Sequence, residues 1–236
     1  ISACEKPLRW ERALALMNGT AALALRPDTI SYNAAISACE KCHQWKRSIA
    51  LLRELLQSRA SPSLITFNAV VSACTKGEQW QQAVSLLDGV HMADLVPDVI
   101  TYCSLVSACE KGHAWELAFH LLGTMHDASV SPNTATCNAA ISSCEKGSQW
   151  ERALELMDQM SRRRINADMI TFNAMISACA TGQQPALAVE LVETMRNRSV
   201  KLDVNTCRFA ISACEGDDVR RPVLSFLDDL AYAAQL

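Results

Sequence analysis

Aromatic side chains make up only 6% of this chain while Ala and Leu abound, a balance that favours helix over sheet. Charge of one sign is also missing. The formal net charge is −3, so no global basic field draws in nucleic acid or an anionic membrane. No apolar run approaches the ~20 residues that a membrane-spanning helix needs, and no membrane partner is expected. Several chemistries lack their signatures: there is no H-E-x-x-H helix, no phosphate loop and no H-x-E with P-C-x-x-C deaminase pattern. Nothing in these residues supports catalysis, and no cofactor or metal is indicated. What the chain does have is core material, with 50% of its 236 residues hydrophobic and 20% charged. It opens at Ile1 in mid-pattern, which reads as a piece of a longer protein whose targeting segment would lie elsewhere.

Cysteine is plentiful, with 11 residues. Cys39-Glu40-Lys41-Cys42-His43 matches C-x-x-C-H, a haem-attachment pattern that also invites a zinc or redox-dithiol reading. The wider spacing argues against all three. Cys4, Cys39, Cys74, Cys109, Cys144, Cys179 and Cys214 recur every 35 residues, as do Trp10, Trp45, Trp80, Trp115 and Trp150. Cys39 is one member of that column, while Cys42 and His43 are local substitutions at a helix end. Column cysteines one repeat apart lie at the ~8–10 Å of packed helices, beyond the ~7 Å between Cα atoms that a disulfide allows. They read as small buried hydrophobes and reduced thiols, as in an intracellular compartment.

The period divides the chain into a partial repeat at 1–28, full repeats at 29–63, 64–98, 99–133, 134–168 and 169–203, and a degraded, cap-like repeat at 204–236. Each repeat predicts two helices. The first follows Pro27, Pro62, Pro97 or Pro132 and a capping residue such as Asp28, and is stopped by Gly77, Gly112, Gly147 or Gly182, which suits a left-handed C-terminal residue. The second is clearest in "WERALELMDQM", where Trp150, Ala153, Leu154, Met157 and Met160 form an apolar stripe. Neither helix buries its face alone, so the pairs must stack into an α-solenoid.

Three polar columns run through the stack. Asn33, Asn68, Asn138 and Asn173 lie inside the first helix, as either solvent-facing amides or a ligand contact made once per repeat. On the first reading, replacing Asn68 touches no packed stripe and leaves stability within ~0.5 kcal/mol. Asp28, Ser63, Asp98, Asn133, Asp168 and Asp203 are good N-caps. Lys6, Lys41, Lys76, Lys111 and Lys146 end the first helix and suit its dipole, with Glu5, Glu40, Glu110 and Glu145 offsetting that charge locally.

The period, the starts "PDVITYCS" and "ADMITFNA", the mid-repeat Gly and "ALELMDQM" together resemble the pentatricopeptide repeat (PPR) family over essentially the whole chain. The tetratricopeptide repeat, with a 34-residue period, is the minor alternative. The resemblance implies an all-α, right-handed superhelical solenoid of stacked antiparallel helix pairs that binds single-stranded RNA, one base per repeat. It implies base-reading pairs Asn33 with Ser63, Asn68 with Asp98, Cys103 with Asn133, Asn138 with Asp168, and Asn173 with Asp203. Cys103 departs from the family pattern. Ile30, Ile65, Ile100 and Ile170 would wedge between bases, with Ala135 a smaller member, and Lys41, Lys76, Lys111 and Lys146 would lie near phosphates, Thr181 breaking that column. Family pairs of Asn with Asp read U and Asn with Ser read C, giving a core preference near 5′-CUNUU-3′. Arg208 replaces the Asn in the final repeat, which reads as a cap. The family works on RNA processing, stability, editing or translation in the mitochondrion or chloroplast. A peptide-binding or scaffolding solenoid is the alternative function.

Overall fold

The computed structural model describes residues 10–22, 27–58, 60–201 and 203–213. Cys4, Glu5, Lys6, Cys214 and most of the final repeat lie outside them. The described residues form twelve helices and no strand. In order these are α1 (Trp10–Ala22), α2 (Thr29–Lys41), α3 (Trp45–Gln57), α4 (Leu64–Lys76), α5 (Trp80–Met92), α6 (Val99–Lys111), α7 (Trp115–Asp127), α8 (Thr134–Lys146), α9 (Trp150–Arg162), α10 (Met169–Thr181), α11 (Pro185–Asn197) and α12 (Val204–Ala213). The even-numbered helices from α2 onward are the first helices of the repeats. None is long and apolar enough to cross a membrane.

Contacts divide the chain into two bodies, with the boundary falling inside α7. The first runs through Gly112 and takes in His120–Ser131; the second takes His113–Phe119 and the chain from Pro132. In the first body α2, α4 and α6 pack in a row, α3 lies against α2 and α4, and α5 against α4 and α6. The second repeats this arrangement with α8, α10 and α12 in the row, α9 against α8 and α10, and α11 against α10 and α12. A first helix therefore has neighbours on several sides, and α10 buries Phe172, Ala174, Met175, Ile176, Ala178 and Cys179 together. Phe67 and Tyr102 in the first body and Phe172 in the second occupy the same position of their repeats, and each is buried. Burying each such ring contributes roughly 1.5–3 kcal/mol. Cys39, Cys74, Cys109, Cys144 and Cys179 are fully buried free thiols. Burial pushes them up to about 11, and Cys144 to about 12. Among the described residues no His, Cys, Asp and Glu cluster is arranged to hold a metal.

The glycines correct one expectation. Gly77, Gly112, Gly147 and Gly182 have φ between −81° and −87°, not left-handed values. The left-handed residue is the next one, Glu78, His113, Ser148 or Gln183. The glycines are needed for space. A Cβ on Gly112 would lie 2.1 Å from Cδ1 of Trp80, and one on Gly182 would lie 2.3 Å from that atom of Trp150. Trp45, Trp80, Trp115 and Trp150 thus each lie over the turn that ends the following repeat's first helix. Gln79 closes the same turn, donating from Nε2 to the Gly77 carbonyl at 3.1 Å.

Candidate nucleic-acid interface

The first helices start with side-chain caps. Asp28, Ser63, Asp98, Asn133 and Asp168 are extended and accept from the backbone N–H three residues on. At Ser63, Asp98 and Asp168 that residue is a threonine whose hydroxyl accepts in return from the cap's own N–H. Each reciprocal cap satisfies two orphan donors at a helix start.

The same threonines reach back into the preceding repeat. The Thr101 hydroxyl lies 2.7 Å from Oδ1 of Asn68 and 2.9 Å from Oδ1 of Asp98, while Nδ2 of Asn68 donates to that Asp98 oxygen at 3.3 Å. Asn138, Asp168 and Thr171 form the same triangle, with Nδ2 to Oδ1 at 3.0 Å and the hydroxyl to Asn138 at 2.6 Å. Asn173, Asp203 and Thr206 repeat it at 3.3 Å and 2.6 Å. In the earliest full repeat Thr66 donates to Oδ1 of Asn33 at 2.6 Å, with Ser63 in the Asp place, its hydroxyl 3.0 Å from that of Thr66. The threonines are buried, as is Asn138.

The Asn column is therefore not a set of solvent-facing amides. It ties one repeat to the next, and replacing Asn68 is not structurally neutral. The threonine column was missed as part of the site, although "ITF", "ITY" and "ITF" at Thr66, Thr101 and Thr171 show it in phase. The triangle orients the amide and the carboxylate against each other. Thr fixes Asn Oδ1 and Asp takes one Nδ2 proton, which leaves the second Nδ2 proton outside the triangle. At Asp98 and Asp168 these bonds converge on Oδ1, not Oδ2. Burial alone pushes both carboxyls up, but the donors from Thr101 and Asn68, or Thr171 and Asn138, outweigh it and hold them below the usual range. At Asp203 the Thr206 backbone donor leads the same lowering. The carboxylates are thus anions and acceptors at neutral pH.

Cys103 brings no amide to its column, and Asn133 caps α8, its Oδ1 2.8 Å from both N and Oγ1 of Thr136. At the second helical position Ile30, Ile65, Ile100 and Ile170 stand 60–71% exposed, with Ala135 also exposed in their series. Lys41, Lys76, Lys111 and Lys146 are exposed at the far ends of the same helices. Lys76, which no Glu precedes, meets a carboxylate from the preceding repeat instead, its Nζ 2.9 Å from Glu40. Arg208 is exposed, its guanidinium 5.0 Å from the Phe209 ring centroid.

The Pentatricopeptide repeat domain description matches residues 16–77 and 85–147, more than half the chain. The PPR repeat family description matches 132–181, and PPR repeat matches 65–92 and 170–200. No curated protein matches the sequence. Among solved structures, the pentatricopeptide repeat protein PPR10 from maize is 21% identical at a TM-score of 0.71, over 97% of this chain and 33% of that one. PPR10 in complex with an 18-nt psaJ RNA element is 16% identical at 0.62, over 96% and 39%. The PPR domain of Arabidopsis thaliana protein-only RNase P 1, in complex with tRNA, is 12% identical at 0.67, over 77% and 95%. The chain thus spans about a third of PPR10. Its helix pairs, their 35-residue period and these matches show an α-solenoid protein that belongs to the pentatricopeptide repeat family.

Proposed function

We propose that this chain is a binding module, not a catalyst, that holds single-stranded RNA and reads one base per repeat. The observation that carries the reading is the triangle, an amide and a carboxylate pinned against each other beside an exposed isoleucine, at Asn68–Asp98–Thr101 and again at Asn138–Asp168–Thr171. Pinning removes rotamer freedom before a base arrives, so less affinity is lost to ordering. A carboxylate accepts and the spare Nδ2 proton donates, which suits the N–H and C=O edge of uracil. The isoleucines would pack between successive base faces. Maize PPR10, similar in fold, was crystallised with an RNA element.

The preferred core is 5′-CUNUU-3′, its N left open by Cys103 with Asn133. By family, the site of action is a mitochondrion or chloroplast and the task concerns RNA processing, stability, editing or translation. The test is a change of letter. In wild-type protein the second base is U; in Asn68→Thr, where Thr with Asp98 reads G in the family, 5′-CGNUU-3′ becomes the preferred RNA. Affinities of both proteins for both RNAs at one salt concentration give a four-cornered comparison. Coupling near zero, or equal binding of duplex RNA, would remove the base-reading assignment. Binding of a peptide in place of RNA would support the scaffold alternative.

A further inference from the structure

The lysines at the ends of the first helices are not equivalent. Ile65 and Lys76 are 11 residues apart, as are Ile100 and Lys111. Eleven residues are about three turns, so each lysine lies on its isoleucine's stripe, roughly 16 Å along the helix. At Lys76 the stripe meets a carboxylate. Glu40, at the end of α2, accepts from Ser72 Oγ at 2.7 Å and from Lys76 Nζ at 2.9 Å, both on α4. Glu40 is the more enclosed partner, with 18% of its side chain exposed against 39% for Lys76.

One repeat on, the arrangement changes. The place of Glu40 is taken by Thr75, whose hydroxyl lies 2.9 Å from the Val71 carbonyl and 3.2 Å from that of Ser104. Lys111, exposed at the end of α6, thus has no carboxylate at that place in the preceding repeat. The sequence puts Glu5 and Glu110 at the corresponding places before Lys41 and Lys146. In α8 and α10 the carboxylate persists and the lysine is lost. Ser177 donates to Glu145 at 2.5 Å, and Thr181 stands in the lysine's place, its hydroxyl turned to the Ala178 carbonyl at 2.9 Å.

We propose that this glutamate column sets how strongly each lysine holds RNA, and that Thr75 makes Lys111 the dominant phosphate anchor of the described surface. The proposal rests on the single-stranded RNA reading above. A phosphate that approaches Lys76 must replace or share Glu40 and meets its negative charge. At Lys111 the Glu40 place holds a neutral hydroxyl, so no carboxylate from the preceding repeat has to be replaced there. A charge-assisted bond to phosphate is therefore gained nearly whole at Lys111 and largely cancelled at Lys76.

The test is binding of fluorescent single-stranded RNA to the protein and six variants, each checked for folding by circular dichroism. Lys111→Ala weakens binding about fivefold or more and lowers the magnitude of the log–log salt slope by about 0.7, while Lys76→Ala changes affinity less than about twofold. Thr75→Glu weakens binding toward the Lys111→Ala value. Glu40→Gln keeps the Ser72 bond and tightens binding, and the double variant Glu40→Gln/Lys76→Ala loses that gain. Glu145→Gln is the control: the same charge change at the same helix position, with no lysine one repeat on, leaves affinity near wild type. Equal losses from Lys76→Ala and Lys111→Ala, or equal gains from Glu40→Gln and Glu145→Gln, overturn the proposal while the RNA reading stands. Wild-type protein that binds no single-stranded RNA overturns both.

Discussion

Asn68 shows how much of a side chain's work lies outside its own repeat. Its oxygen holds Thr101 and its nitrogen holds Asp98. The Asn68→Thr variant loses the amide donor to Asp98 and takes away the amide oxygen that accepts from the buried Thr101 hydroxyl, so urea unfolding should show a loss of about 1–2 kcal/mol. A change under ~0.5 kcal/mol would return the residue to an ordinary surface amide. Ser143 is the opposite case. It stands in the column of Ala38, Ala73, Ala108 and Ala178, fully buried, and its hydroxyl has no partner among the described residues. Ser143→Ala should therefore raise stability by about 1 kcal/mol at unchanged denaturant m-value. Acid acts on the triangles. Folded-state pKa values of Asp98, Asp168 and Asp203 lie below the ordinary 3.8, so their stabilisation is present above that value and is lost as pH falls through the folded-state values. Replacing Asp98 and Asp168 by Asn should flatten the fall in thermal midpoint below about pH 4. The residues of the triangle were legible in the sequence as columns, but a column says which residue recurs, not which it touches. The partner of Asn68 lies 33 residues on, across a stack that only the coordinates supply.

At the scale of an element, the helix pair was legible almost to the residue, because a strict period repeats every boundary signal several times. Pro97 then Asp98 marks one start, Trp115 the next. The reason for the glycines was not. Their place at a helix end suggests backbone freedom, and the structure gives the following residue that duty, at φ 58° for Glu78 and 54° for Ser148. What excludes a side chain from Gly112 is the Trp80 ring. Gly112→Ala should cost about 1–3 kcal/mol through overpacking. Pairing it with Trp80→Leu should recover part of that, leaving a coupling energy of about 1 kcal/mol in a double-mutant cycle. Two additive losses would show that the glycine answers to its own backbone after all.

For the molecule as a whole, the cysteine column gives a reading of how the stack opens. Denatured, unreduced protein should titrate close to 11 thiols and show no haem band. In native protein at mild alkaline pH, Cys42 and Cys103, partly exposed, should react first. Cys39, Cys74, Cys109, Cys144 and Cys179 are raised to about 11 or 12 by burial and wait for local opening. Uniformly fast reaction of all thiols would contradict that core.

The threonine that completes each triangle also bears on how such a chain grows. Thr66, Thr101, Thr136, Thr171 and Thr206 recur in five successive repeats, after Ser31 with its own hydroxyl in the first, whereas the residues they face vary: Ser63 or Asp98, Asn68 or Cys103. A tandem duplication that drops a copied repeat anywhere in the row therefore lands it before a neighbour that already carries the matching hydroxyl. The constant half of the joint lets the variable half mutate to a new letter without the adjoining repeat having to change in step. Lengthening the chain and rewriting it are thus separate evolutionary moves.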